Sequence, residues 1–178
     1  MERNIVVVKR DCIARLVPVG TPITIPKDTF VTVTQDLGGS FTVVVNGNMA
    51  RVDSTDADAL GFEPLELCFD EPTDDRVREE DVWETMRTVY DPEIPINLVD
   101  LGLIYGCEIR HENGRNSAHI RMTLTAPGCG MGPVLVEEIK YRLEKVPNLD
   151  EVEVELVFDP PWDREMMSVA AKLELGMF

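Results

Sequence analysis

The chain has 178 residues, 44% of them hydrophobic, and a formal net charge of −16. This length fits one ordinary domain or two small ones, with enough apolar residues for a packed core. The charge repels a phosphate backbone, and no Lys/Arg cluster offsets it, so nucleic-acid binding is a poor reading; the acidity serves solubility or a basic partner. No apolar run approaches the roughly 20 residues of a membrane span; segment 4–8 is apolar but far too short. Met1-Glu2-Arg3-Asn4 lacks the basic region, apolar core and cleavage site of a secretory leader. The four cysteines, Cys12, Cys68, Cys107 and Cys129, are widely spaced and form no C-x-x-C pair. Reduced thiols in the cytoplasm are the expectation.

Residues 1–69 read as a small β-rich domain. Segment 12–17 stops at Pro18-Val19-Gly20, and 21–25 stops at Pro26-Lys27-Asp28. Segment 29–35 alternates β-branched residues, and a turn over 36–40 leads into 41–45. Asn46-Gly47 is a strong hairpin signal, with 49–52 as the return strand. Ser54 is predicted to cap a short helix over 55–60 that ends at Gly61. Residues 70–81 are charged, contain Pro72 and lack large apolar residues, so they read as an acidic linker. Glu79, Glu80 and Asp81 also suit the positive end of a helix dipole.

Residues 82–178 read as a second domain. Val82, Trp83, Met86, Val89 and Tyr90 recur at helical spacing, and Pro92 is predicted to stop that helix. Segment 103–110 reads as a strand with Leu103, Tyr105, Cys107 and Ile109 on one side. Asn113-Gly114 marks a turn into strand 118–125, where Ile120, Met122 and Leu124 oppose His119, Arg121 and Thr123. Segment 131–146 is predicted to be a helix burying Leu135, Ile139, Leu143 and Val146. In strand 151–158, Val152, Val154, Leu156 and Phe158 face in and Glu151, Glu153 and Glu155 face out. Strands with one wet face exclude a parallel sheet covered on both sides. The predicted fold is α+β: a small all-β domain, then an α/β sandwich with helices on one face of a mixed sheet.

The stretch that carries chemistry is Thr123-Leu124-Thr125-Ala126-Pro127-Gly128-Cys129-Gly130-Met131-Gly132-Pro133. Three glycines surround Cys129 where a strand gives way to a helix. Glycine lets a ligand approach the backbone, and free N–H groups at a helix start favour an anion. A thiol there has a lowered pKa, and its thiolate is both a nucleophile and a soft metal ligand. The competing reading is a small buried hydrophobe in a tight turn. Asp91, Glu93 and Asp100 place carboxylates on a proline-stiffened loop, for a hard metal, a proton or turn capping. Trp162, after Asp159-Pro160-Pro161, is a partner surface or a packing residue, and Asp163 caps a short helix over 164–167.

Other candidates are blander. Cys107 reads as core; Cys12 and Cys68 read as structural; His111 and His119 read as surface. His119 lies ten positions before Cys129, too far along a straight strand at roughly 3.3 Å per residue for a Cys–His pair. There is no Walker-type loop, Rossmann fingerprint or zincin motif. The chain is therefore expected not to be an enzyme and to have no catalytic residue; a Cys129-dependent hydrolase with a carboxylate base is the weakest alternative.

Three motifs together resemble a known family: Asp91-Pro92-Glu93-Ile94-Pro95, Val99-Asp100-Leu101-Gly102-Leu103-Ile104-Tyr105, and Met122 through Cys129. They are similar to the PaaD/MIP-type metal–sulfur cluster assembly domain, over about residues 78–178. Gly128-Cys129-Gly130-Met131-Gly132, Pro160-Pro161-Trp162 and the β-rich front, with Arg10-Asp11-Cys12 and Gly38-Gly39-Ser40, make the whole chain resemble SufT-type proteins. The resemblance implies an accessory role in iron–sulfur protein maturation, with assembly proteins and client apo-proteins as partners. It implies Asp91, Glu93, Asp100, Thr125 and Cys129 as the site. One thiolate is too few for an ordinary cluster, so a bound iron–sulfur cluster would be transient, shared across a homodimer, held with a partner or completed by a small thiol. The alternatives are a metal-free adaptor of the assembly machinery and an oxygenase subunit of the PaaD kind, the latter disfavoured by the β-rich front.

Overall fold

The structure is a computed structural model, and it describes residues 4–37, 40–91, 94–125 and 130–176. The front of the chain forms six strands: β1 (Asn4–Val7), β2 (Cys12–Leu16), β3 (Pro22–Ile25), β4 (Phe30–Leu37), β5 (Ser40–Val45) and β6 (Asn48–Asp53). They make one antiparallel sheet in the order β1-β4-β5-β6-β2-β3. Asn46 (φ 51°) and Gly47 (φ 80°) both take the left-handed conformation that a tight hairpin requires. One sheet face buries Val31, Val33, Val43, Val45, Ala50 and Val52 with Leu60 from the following 3₁₀ helix, Ser54–Leu60. β1 is an edge strand absent from the sequence reading. Val6 and Val8 turn into the front core while Ile5 (72%) and Val7 (40%) are exposed, but because both faces of the segment carry apolar residues its sequence shows no alternation.

The short helix is capped by Asp53, not Ser54. The Asp53 carboxylate accepts from the Thr55 N–H at 2.9 Å and the Thr55 hydroxyl at 2.8 Å, and Gly61 closes the far end at φ 84°. Ser54 already belongs to the helix, one position too late to cap it.

The rest of the chain supplies α1 (Glu79–Met86), β7 (Ile104–Glu112), β8 (Arg115–Met122), α2 (Gly132–Leu143), β9 (Glu151–Leu156), the 3₁₀ helix Arg164–Met166 and α3 (Val169–Glu174). β7 and β8 pair antiparallel around Asn113 (φ 54°) and Gly114 (φ 75°), and β9 joins β8 in parallel. This second sheet is mixed, and the fold is α+β. Its core gathers Val82 and Met86 from α1, Ala118, Ile120 and Met122 from β8, and Leu135, Ile139 and Leu143 from α2. Asp163 caps the 3₁₀ helix by accepting from the Glu165 N–H at 2.8 Å.

Three local expectations are corrected. α1 ends at Met86 and does not run on to Pro92; Val89 stays buried on the loop, and its carbonyl accepts from the Leu98 N–H at 2.9 Å. In β7 a register shift between Ile104 and Gly106 takes Tyr105 off the core face. Ile104, Cys107 and Ile109, opposite Met122, Ile120 and Ala118, line that face instead. Phe158 lies past the end of β9 and is 44% exposed, not inward. The acidic segment before α1 is fastened to the second sheet. The Asn116 side-chain amide donates to the Asp75 carbonyl at 2.6 Å, and the Asn148 amide to the Asp74 and Arg76 carbonyls.

The two cores meet across α2. Its apolar residues enter the second core, while Glu137, Glu138, Tyr141 and Arg142, spaced as neighbours on a helix, face the front sheet. Arg51 Nε donates to Glu138 at 2.5 Å, and the Ser40 hydroxyl donates to the same oxygen at 3.1 Å. Arg142 pairs with Asp53 at 2.9 Å, and the Tyr141 hydroxyl donates to the Asp56 carboxylate. Burial pushes the Glu138 carboxyl above its ordinary value, and Arg51 opposes that push.

Candidate functional site

The loop between α1 and β7 shapes the candidate site. Asp91 is buried, and its carboxylate accepts from the Ile94 N–H at 2.9 Å, while its own N–H donates to the Ile96 carbonyl at 3.2 Å. Asp100 accepts from the Asn97 side-chain amide at 2.6 Å, and its N–H donates to Asn97 Oδ1 at 2.9 Å. Both aspartates therefore fold the loop back on itself as turn-capping residues. Asn97 is a full partner in this lock, and sequence reasoning missed it. The Asn97–Asp100 spacing of three was the available signal.

The C-terminal segment closes over this loop. Trp162 Nε1 donates to the Leu101 carbonyl at 2.7 Å, and the Ser168 N–H donates to the Asp100 carbonyl at 2.7 Å. Trp162 is half-buried against the core and acts as a buttress of the loop. The Tyr105 hydroxyl, displaced by the β7 irregularity, donates to the Pro160 carbonyl at 2.8 Å. Gly102 has φ 79°, and a Cβ there would lie 2.3 Å from the Met166 carbonyl oxygen. Only glycine fits this crossing.

At the end of β8, the Thr123 N–H donates to the Leu103 carbonyl at 2.8 Å, so the strand end and the loop are adjacent. Thr123 Oγ1 is buried with no hydrogen-bond partner among the described residues. Thr125 follows, half-buried, just beyond the strand. α2 starts at Gly132 and Pro133, without a side-chain cap and without an acidic residue in its first turn. Its first N–H groups thus keep their positive character. Gly132 is pressed against the core: a Cβ there would meet Leu124 Cδ1 at 3.0 Å. Cys129 and Glu93, both singled out from the sequence, lie outside the described residues. The structure thus joins Asp100 to Trp162 through the turn at Leu101, and sets Asp91 at the other end of the same loop.

The remaining titratable groups are accounted for locally. Burial pushes the Cys12 and Cys107 thiols up to about 11, so both rest as neutral core thiols, whereas Cys68 is exposed. His119 sits between Glu153 at 3.4 Å and Glu155 at 3.0 Å on the wet side of the second sheet. His111 Nδ1 lies 2.5 Å from Asn116 Oδ1. Among the described residues, no group of three His, Cys, Asp or Glu side chains converges as a metal site. No helix among them is long and apolar enough to cross a membrane.

Comparison with known proteins places this loop and strand end in context. The sequence model of a family described as iron-sulfur cluster assembly protein matches residues 79–156. A Porphyromonas gingivalis protein named Fe-S protein maturation auxiliary factor is 43% identical over 98 residues, which are 55% of this chain and 90% of that relative. The Staphylococcus aureus Fe-S protein maturation auxiliary factor SufT is 40% identical over 89 residues, 50% of this chain and 98% of that relative. The crystal structure of a domain of unknown function from Bacillus anthracis superposes with a TM-score of 0.51 at 38% identity, over 56% of this chain and 92% of that one.

Proposed function

This chain belongs to the iron–sulfur cluster assembly protein family, and from that premise we propose that it passes iron–sulfur clusters to client proteins through Cys129. Its role is that of an accessory factor in iron–sulfur protein maturation, as its relatives are named. The observation that carries the Cys129 reading is the uncapped start of α2, three residues beyond that cysteine in the chain. A helix start of this kind favours the thiolate of a thiol brought to it, and thiolate is the form that ligates iron.

The cluster is cargo in this reading, not a resident cofactor. One thiolate leaves the remaining ligands to a second copy, to a partner or to a small thiol. Asp91 and Asp100 form the site by fixing the loop beside the strand end, Trp162 braces that loop, and Glu93 and Thr125 serve as contacts for the client. Residues 82–178 are the working domain, 1–69 a fused β domain and 70–81 their acidic connection. The protein works in the cytoplasm, without catalysis, together with assembly proteins and client apo-proteins.

Anaerobic reconstitution with iron and sulfide, followed by transfer to an apo-ferredoxin, tests the reading. The wild type is expected to develop an iron–sulfur absorption band and to activate the acceptor, and Cys129→Ser to do neither. A band of equal intensity in Cys129→Ser overturns the ligand role. Clients that co-purify undiminished with Cys129→Ala would make the protein a metal-free adaptor instead.

A further inference from the structure

The front sheet has two faces, and only one is turned to its own core. Val6, Val31, Val43 and Ala50 point into that core, so their neighbours along each strand point the other way. Strand pairing lines those outward residues up in rows. Ile5 of β1 lies opposite Thr32 of β4, Thr32 opposite Val44 of β5, and Val44 opposite Met49 of β6. Val7 lies opposite Phe30 in the next row. α2 covers the other half of this outer face, where Thr42 and Arg15 lie opposite Arg51 and Arg51 reaches Glu138. The half that α2 leaves open keeps Ile5 72%, Phe30 70%, Met49 48% and Val7 40% exposed.

These four apolar side chains expose roughly 500 Å², the size at which an apolar patch on a monomer usually has a function. None of the six residues in the two rows is charged, in a chain whose net charge is −16. Lys9 and Asp28, two positions after Val7 and two before Phe30, carry opposite signs and leave the rim neutral. The occupant is therefore not selected by charge: a nucleic acid, an anionic membrane or a basic peptide finds nothing here to pair with. It must present an uncharged apolar surface that follows a twisted sheet. A second copy supplies that surface, because a two-fold axis sets the patch against itself. Two such sheets pack face to face about 10 Å apart. Edge-to-edge pairing of β1 would leave Met49, three strands away, in water, whereas face-to-face packing covers the whole patch. Doubling the patch gives about 1,000 Å² of buried surface, the lower bound for a specific interface and the size of a reversible dimer.

We propose that the open half of the outer sheet face, from Ile5 on β1 to Met49 on β6, is a homodimer interface on which a second copy of this chain packs its own open half. The patch lies before residue 54, and the family match begins at residue 79, so the pairing belongs to the front domain and needs neither Cys129 nor a cluster. Sedimentation equilibrium of the metal-free full chain tests it, with a reductant that keeps the exposed Cys68 from cross-linking. The expected result is a reversible monomer–dimer equilibrium with a roughly micromolar dissociation constant. Raising the salt from about 0.02 M to about 0.5 M should tighten the dimer severalfold, because it screens the repulsion between two acidic chains without touching an apolar contact. Weakening by salt would mean an interface of ion pairs and overturns the proposal. Phe30→Glu and Ile5→Lys, both at exposed positions that leave the core untouched, should each weaken the dimer at least about tenfold, by stranding a charge in an apolar contact. Mixing Phe30→Glu with Phe30→Lys should restore part of the association, since the same face meets itself. A dimer of undiminished strength in both Phe30→Glu and Ile5→Lys overturns the proposal. So does a wild-type chain still monomeric at about 0.2 mM, which would leave the patch to a different protein. Cluster transfer that fails while the dimer behaves as expected would count against the delivery role and leave the interface intact.

Discussion

Cys12 is 1% exposed and Cys107 half-buried, and desolvation is the first cause that raises both thiols from 9.0 to about 11. A raised thiol pKa means that the folded state prefers the neutral form. Their contribution to stability is therefore full below about pH 9 and is lost as the pH rises through about 11. At pH 8, iodoacetamide should modify Cys68 well before Cys12 or Cys107, read by peptide mass spectrometry; equal rates at all three would contradict the burial. At the same scale, Asp100→Ala removes the acceptor for the Asn97 amide and should cost about 1 kcal/mol in urea unfolding, the ordinary worth of such a bond. The aspartates were legible as candidates because carboxylates beside prolines stand out. Their turn-capping partners were not, because Asn97 acquires meaning only when the loop folds back on it.

Elements were legible where one face is wet and the other dry. β9 alternates glutamates with Val152, Val154 and Leu156, and the two Asn-Gly turns announce their own backbone angles. Boundaries set by tertiary contact were not. α1 stops at Met86 because Val89 leaves the helix to pair with Leu98, and Val89 stays apolar and buried either way. The β7 register shift is equally silent, since Ile104 and Tyr105 are both plausible core residues. The crossing of the site loop under the C-terminal segment gives the test at this scale. Gly102→Ala adds a Cβ 2.3 Å from a backbone oxygen and needs φ 79°. The positive φ alone costs about 1 kcal/mol or more, and the clash must add to it by displacing Met166. The expected loss in urea unfolding is above about 2 kcal/mol, more than the roughly 1 kcal/mol of a typical substitution, because strain and clash act together. The Trp162 fluorescence should also change as the bond to Leu101 loosens. A loss under 1 kcal/mol would mean that the segments are not held together as described.

At the scale of the whole molecule, two separate hydrophobic cores are joined through one polar seam. Nothing local in the sequence announces it: Glu137, Glu138, Tyr141 and Arg142 look like a helix's wet face, and Arg51 and Glu138 stand 87 positions apart. A buried ion pair adds little net stability over a well-packed apolar pair, but removing one partner leaves the other charge stranded, at about 3–5 kcal/mol. Arg51→Ala or Glu138→Ala alone should therefore destabilise the chain by about that much. The paired replacement Arg51→Met with Glu138→Leu should cost less than either single change, because no charge is then left unpaired. Calorimetry separates this from a general weakening. With the seam intact the two cores unfold together; with it broken by Glu138→Ala, the melt should split, because each core keeps its own apolar cluster and loses only its coupling. A single coincident transition in Glu138→Ala, at undiminished van't Hoff enthalpy, would show that the apolar packing couples the cores and that the seam does not.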